Sequence, residues 1–331
     1  MKRKAGISAY LGLALALCNA GVVHAQVQKL ADGYPNKPIR FLVASIPGAA
    51  SDVVVRLVSP RVQDRLGVPL VIENRGGANG IPALNAAAQA APDGYTILNS
   101  GNLLVLNGVT GKLPYDIRKT FDPVALLTSQ PYVLLAHPGL PASSIKELIA
   151  YAKAKPGAAI YGSSGLGSVN HLGTALLANR AGIDMTHIPY KGNAQALPDL
   201  LSGRIHLLFT AGPSATPHLK SGKAKPLAIS SLNRSSAFPD IPSVSESGLA
   251  GFDVTNSYYV YVPVGVSQAI MLLLGRELTD SVNAPEVKAR LAPDGVEFGK
   301  GRPPAALKEA FLKEFDTWDS FIKSSGLKLA D

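Results

Sequence analysis

Short apolar runs alternate with helix-period segments along most of this chain, and that alternation restricts its architecture more than any other feature. Residues 39–44, 69–73, 95–99, 124–127, 133–136, 159–161, 185–188 and 207–210 read as strands. Residues 51–66, 81–91, 168–181 and 195–201 read as helices set among them. Strands covered on both faces are near-continuous runs of Val, Ile and Leu, and crossover helices make their neighbours parallel. The repeated order therefore predicts an α/β fold with mainly parallel sheets. Residues 258–262 form a further strand, after which Pro263, Gly265 and Ser267 break an apolar stretch too interrupted to span a membrane. From Pro303-Pro304 the last helix carries Leu307, Phe311, Phe315, Trp318 and Ile322 at helical spacing, a stripe for the core. No low-complexity linker separates these elements, so two domains sharing crossing strands are expected.

The first residues belong to a different physical class. Lys2, Arg3 and Lys4 precede an apolar segment from Ile7 to Leu17, and Val23-His24-Ala25 places small residues around an expected cut after Ala25. Leu17 stands where a small residue should precede a lipidated cysteine, so a secretion signal is expected over 1–25 rather than a lipid anchor on Cys18. Cys18 is the one cysteine of the 331 residues, so an exported chain cleaved there has no disulfide, zinc–thiolate site or cysteine nucleophile. Its core alone must hold it, and a chain of this length can bury enough apolar surface. Removing Lys2, Arg3 and Lys4 takes the net charge from +9 to +6, a mild field that favours anionic ligands. Lys and Arg are scattered, without basic runs, and nucleic-acid binding is not expected.

Two strand-to-helix loops are candidates for chemistry. Ile46-Pro47-Gly48-Ala49-Ala50-Ser51-Asp52 has small residues that let a ligand approach the backbone at a helix N-terminus, where free amides suit a carboxylate. A tight βα turn in which Ser51 or Asp52 caps the helix fits the same residues. Gly162-Ser163-Ser164-Gly165-Leu166-Gly167-Ser168 is a second such loop with hydroxyl donors. Its glycines hint at a dinucleotide fingerprint, but Asn170 fills the third-glycine position and no P-loop lysine follows. Ser168 and His171 permit a secreted serine hydrolase acting on a small ester or amide, although no G-x-S-x-G elbow is present. The six histidines lack metal-ligand spacing, and neither a metal nor a cofactor is expected. Lys191 suits either an anion or a solvated loop.

These segments together resemble the Bug-type extracytoplasmic solute receptors of tripartite tricarboxylate transporters. The resemblance is carried, in order, by Tyr34-Pro35 through Ile39-Arg40, Pro47-Gly48 with Asp52, and Val71-Ile72-Glu73-Asn74-Arg75. Ala91-Pro92-Asp93-Gly94-Tyr95-Thr96 and Leu113-Pro114-Tyr115-Asp116 follow. In the second half come Ser163 to Ser168 with His171-Leu172, Pro189-Tyr190-Lys191-Gly192, Pro239-Asp240-Ile241-Pro242 and Pro285-Glu286-Val287.

The resemblance implies a two-domain Venus flytrap with a crossed-strand hinge: residues 26–128 and 256–331 in one domain, 129–255 in the other. It implies a monomeric, non-enzymatic periplasmic receptor that captures a small organic anion between the lobes for a membrane permease. A receptor that docks on a membrane sensor kinase would present the same cleft. The implied ligand-binding residues are Ser45, Ile46, Pro47, Gly48, Ala49 and Asp52 in the first loop, and Ser163, Ser164, Gly165, Ser168 and His171 in the second. Ser100, Gly101, Tyr190, Lys191, Gly192, Thr210 and Tyr258 complete the set. Family members usually carry paired glycines where Gly48-Ala49 stands, an apolar or aromatic residue at Ser45 and tryptophan at Tyr258, so the departures bear on which ligand is taken.

Overall fold

The computed structural model describes residues 29–30 and 32–325, so the expected signal over 1–25 and its cut after Ala25 lie outside the described residues. Ten strands occur among the described residues: β1 (Ile39–Val43), β2 (Leu70–Asn74), β3 (Thr96–Ser100), β4 (Phe121–Ala136) and β5 (Gly157–Ser163), then β6 (Met185–Pro189), β7 (Leu207–Ala211), β8 (Lys225–Ile229), β9 (Thr255–Pro263) and β10 (Glu297–Phe298). The helices are α1 (Ala50–Leu66), α2 (Ile81–Ala88), α3 (Leu103–Val109), α4 (Ile117–Thr120), α5 (Ile145–Ala154) and α6 (Val169–Ala181). They continue with α7 (Asn193–Leu201), α8 (Gly212–Lys220), α9 (Gln268–Val282), α10 (Pro285–Leu291) and α11 (Pro304–Ser325).

The strands follow the order β2-β1-β3-β9-β4-β7-β5-β6, with β8 and β10 also paired to β4. The βα units give parallel pairs on both flanks, β1 with β2 and β3, β5 with β6 and β7. The two strands that cross between the flanks, β4 and β9, run antiparallel to their neighbours.

Where the sequence suggests separate strands at 124–127 and 133–136, the chain forms one strand of 16 residues through Pro123 and Pro131. Its first part pairs with β9 as far as Pro131, opposite Thr255, and from Tyr132 it pairs with β7. A proline lacks the ladder N–H, and Pro131 sits where the ladder changes partner, while Pro123 sits at a register shift. Proline content thus marks the crossing rather than an interruption.

Helices cover both faces of each flank. On one face of the first, Val54, Val55, Val58 and Val62 of α1 meet Leu273, Leu274 and Leu278 of α9 in one buried cluster. The other face is closed by α11, whose Leu307, Phe311, Phe315, Trp318 and Phe321 are buried. Phe321 takes the last core position expected of Ile322, which is only partly buried. Burying each such side chain contributes about 1.5–3 kcal/mol relative to exposure. The strand at 258–262 and its turn form as expected, with Gly265 at φ 104° between β9 and α9, a value that disfavours any side chain.

Candidate functional site

The β1–α1 loop owes its shape to Gly48, at φ 80°, and to Asp52. The Asp52 carboxylate is 2% exposed and accepts the Gly48 N–H at 2.8 Å, Arg56 Nε at 2.9 Å and Asn74 Nδ2 at 2.9 Å. Burial alone would raise its pKa, but the bonds from Arg56, the Gly48 N–H and Asn74 outweigh it and hold the carboxyl below the ordinary value. Neither Asp52 nor Ser51 caps α1. Ser51 Oγ pairs with Ser45 Oγ at 2.7 Å, and Ala49 stands at the N-cap, where it supplies no side-chain hydrogen bond. A 17-residue helix therefore begins with its first-turn amides uncapped.

That helix end opens on a cavity of about 140 Å³ at the C-terminal ends of β1 and β3. Five of the expected residues line it: Ser45, Ala49, Ser100, Gly101 and Tyr258. A Cβ at Gly101 would stand 3.1 Å from the Ser257 carbonyl oxygen and 3.2 Å from the Tyr258 ring, a tight fit that glycine relieves. The Tyr258 hydroxyl accepts Asn256 Nδ2 at 3.0 Å, which leaves its proton to donate, and burial raises its pKa. Asn99, Asn102, Leu103, Val169 and Asn256 also line the cavity, unforeseen from the sequence. For Asn102 a signal existed: it directly follows Ser100-Gly101 in the turn from β3 to α3. None of the lining side chains is charged. Ile46, Pro47 and Gly48 are exposed at the lip, Ile46 to 65%.

The second loop is organised differently. Ser163, fully buried, places Oγ 2.7 Å from His187 Nε2 and takes the Gly165 N–H at 3.1 Å. Ser164 and Ser168 both donate to Asn170 Oδ1, at 2.9 and 2.7 Å, and Asn170 Nδ2 reaches Asn193 Oδ1 at 2.6 Å. Asn170, the residue that departs from the dinucleotide fingerprint, is thus the hub of the loop. Ser163, Ser164, Gly165 and Ser168 satisfy one another and their neighbours, and the cavity lining takes in Val169 beside them instead. Ser168 caps α6 through the His171 backbone N–H at 3.4 Å, so the two helix ends differ.

The hydrolase pairing is not formed. His171 Nδ1 accepts the Gly167 N–H at 3.1 Å, and its ring stacks 4.2 Å from His187 and 6.4 Å from Tyr161. Burial pushes His171 down to about 4; burial and the neighbouring His171 push His187 to about 4 as well. Ser168 offers its proton to Asn170 and the Gly165 carbonyl, not to an imidazole.

Tyr190 also turns aside: its hydroxyl donates to Asp199 Oδ2 at 2.7 Å, and burial with that bond pushes it up to about 12. Lys191 is exposed, Gly192 precedes α7 in extended conformation, and buried Thr210 accepts Asn193 Nδ2 at 3.4 Å. These residues stand at the C-terminal ends of β6 and β7, outside the 140 Å³ cavity. Larger hollows lie elsewhere, about 770 Å³ between α6 and α11 and about 480 Å³ behind the crossing strands. Neither is lined by any of the expected ligand-binding residues, so size does not identify the site. Among the described residues no three His, Cys, Asp or Glu side chains group to hold a metal, and no helix is long and apolar enough to cross a membrane.

The model of the tripartite tricarboxylate transporter family receptor matches residues 54–327. Protein BugT of Bordetella pertussis is 34% identical over 302 residues, covering 90% of this chain and 92% of its own. Among solved structures, one from R. palustris with adipate is 29% identical with a TM-score of 0.69, covering 89% of this chain and 99% of the other. MatC from Rhodopseudomonas palustris with bound malate is 29% identical with a TM-score of 0.67, covering 87% and 100%. The chain belongs to the tripartite tricarboxylate transporter receptor family.

Proposed function

We propose that this member of a periplasmic receptor family binds a small carboxylate between two lobes and delivers it to a tripartite tricarboxylate-type permease. One observation carries the reading: α1 begins without a side-chain cap, and its open end faces a cavity lined by Ser45, Ser100 and Tyr258. Backbone amides aligned with the helix dipole there suit one carboxylate, and neutral donors can complete its shell. Adipate and malate in the related structures are of the same chemical class.

In this reading residues 26–128 and 256–331 make the first lobe and 129–255 the second, with β4 and the segment before β9 as the hinge. The export signal is cleaved after Ala25, and the receptor works as a monomer. The second-loop serines shape the closing lobe through Asn170 and meet the ligand when the lobes close.

A thermal-shift screen of mono-, di- and tricarboxylates, followed by calorimetry, tests the function, since a ligand bound to the folded state raises the apparent midpoint. Saturable binding of at least one carboxylate is expected, weakened by Tyr258→Phe. Stabilisation by neutral solutes alone would refute it.

A further inference from the structure

Asn102 belongs to two cavities at once. It lines the 140 Å³ ligand cavity beside Ser100 and Gly101, and it forms part of the wall of the 480 Å³ hollow behind the crossing strands. Its amide is held from both ends. Nδ2 donates to Glu314 Oε1 of α11 at 2.8 Å, and Oδ1 accepts the Ser257 N–H of β9 at 3.2 Å. The Ser257 N–H fixes which end is oxygen, because a flipped amide would set its NH2 against that N–H. Glu314 itself lines only the rear hollow, yet it bonds directly to a residue of the ligand cavity.

We infer that Glu314 is a positioning residue for ligand capture, setting the Asn102 amide and coupling the ligand cavity to the charge in the hollow behind the hinge. The inference rests on the carboxylate reading for its sign, though not for the Glu314–Asn102 link.

Groups from several elements face Glu314. Asp253, ahead of β9, and Glu297 of β10 bring negative charge, and the phenols of Tyr259 and Tyr261 lie on β9. Arg302 and Lys313 enter from α11 and its approach, and Arg180 from the end of α6. Arg234 is already engaged with Glu246. Burial pushes the Glu314 carboxyl up to about 7; the Asn102 bond opposes that rise and Asp253 adds to it. A charge-assisted bond to Asn102 is about twice as strong as a neutral one, so the carboxyl's charge state changes how firmly the amide is held. An anion in the ligand cavity disfavours a second anion across Asn102. Binding a carboxylate therefore takes up a proton at Glu314, and by linkage affinity rises as pH falls through the neutral range.

Two measurements decide this. In the ligand-free protein, the Asn102 side-chain NH2 resonances are followed by NMR across about pH 5.5–8.5. They should titrate with a midpoint near 7, and Glu314→Gln, which keeps an acceptor for Asn102, should flatten the curve. A flat wild-type curve, or one unchanged in the variant, overturns the inference whatever the ligand is. Calorimetry with malate and adipate forms the second arm. Affinity should rise about fivefold or more from about pH 8 to 6 in wild type and stay level in Glu314→Gln. Binding that is level in both proteins also overturns it. Failure of both acids to bind counts against the carboxylate reading and leaves the NMR arm to decide the link.

Discussion

The hydroxyl of Ser230 accepts the backbone N–H of Tyr132 at 2.8 Å, and so ties the end of β8 to the middle of β4. It also donates to the Val254 carbonyl at 2.5 Å, while Ser230 N–H returns to the Tyr132 carbonyl at 2.9 Å. One fully buried side chain thus joins the two segments that cross between the flanks. Removing it orphans a buried donor and a buried acceptor. Ser230→Ala should cost about 1–3 kcal/mol in urea denaturation. A variant as stable as wild type would show that the crossing strands hold without this tie.

The strand and helix order was legible because apolar period and run length are local properties. The continuity of β4 was not, since Pro123 and Pro131 are tolerated only through the partner change and register shift that pairing creates. The first loop was legible as a helix entry, and five expected residues converge on one cavity. What Ser163, Ser168 and Tyr190 do with their hydroxyls depends on His187, Asn170 and Asp199. Ser163–His187 and the Glu314–Asn102 bond join residues far apart in the chain, and no spacing rule reaches such pairs.

Asp52 should matter through the loop it clamps rather than as a helix cap. Asp52→Ala removes an acceptor shared by Gly48, Arg56 and Asn74, with an expected loss of about 1.5–3 kcal/mol. Its folded pKa lies below the ordinary 3.8, so its contribution is fully present above that value and lost as pH falls through the lower folded one. Chemical denaturation should therefore show a constant gap between wild type and variant from neutral pH down to about 5, narrowing below about 4. A gap that persists at lower pH would mean the carboxylate's charge is not what holds the loop.

The His171–His187 stack predicts acid sensitivity of a different kind. Both rings are held neutral, with folded values of about 4 against an ordinary 6.5. Protonation favours the unfolded chain, so stability is fully present above 6.5 and declines as pH falls toward 4. The His171 part amounts to at most about 3 kcal/mol, from the size of one pKa unit. His171→Asn keeps an acceptor for the Gly167 N–H and removes that titration. The slope of stability against pH over this window should flatten in the variant; equal slopes would assign the sensitivity elsewhere.

Ala49 offers the sharpest separation between a helix end that needs a cap and one kept open for a ligand. It has the extended N-cap geometry, φ −67° and ψ 159°, but no side-chain oxygen to offer the first-turn amides. Ser at such a position is worth about 0.5–2 kcal/mol over Ala. Ala49→Ser should therefore raise the thermal midpoint while its hydroxyl takes an amide that a ligand carboxylate would otherwise use. Affinity for whichever carboxylate the screen identifies should then fall, even though the protein becomes more stable. Ala49→Gly adds no competing oxygen, removes the methyl that lines the cavity, and should leave affinity equal or improved. Opposite movements of midpoint and affinity in Ala49→Ser are the expected signature. A variant that gains stability and binds as well as wild type would place the ligand away from the α1 end.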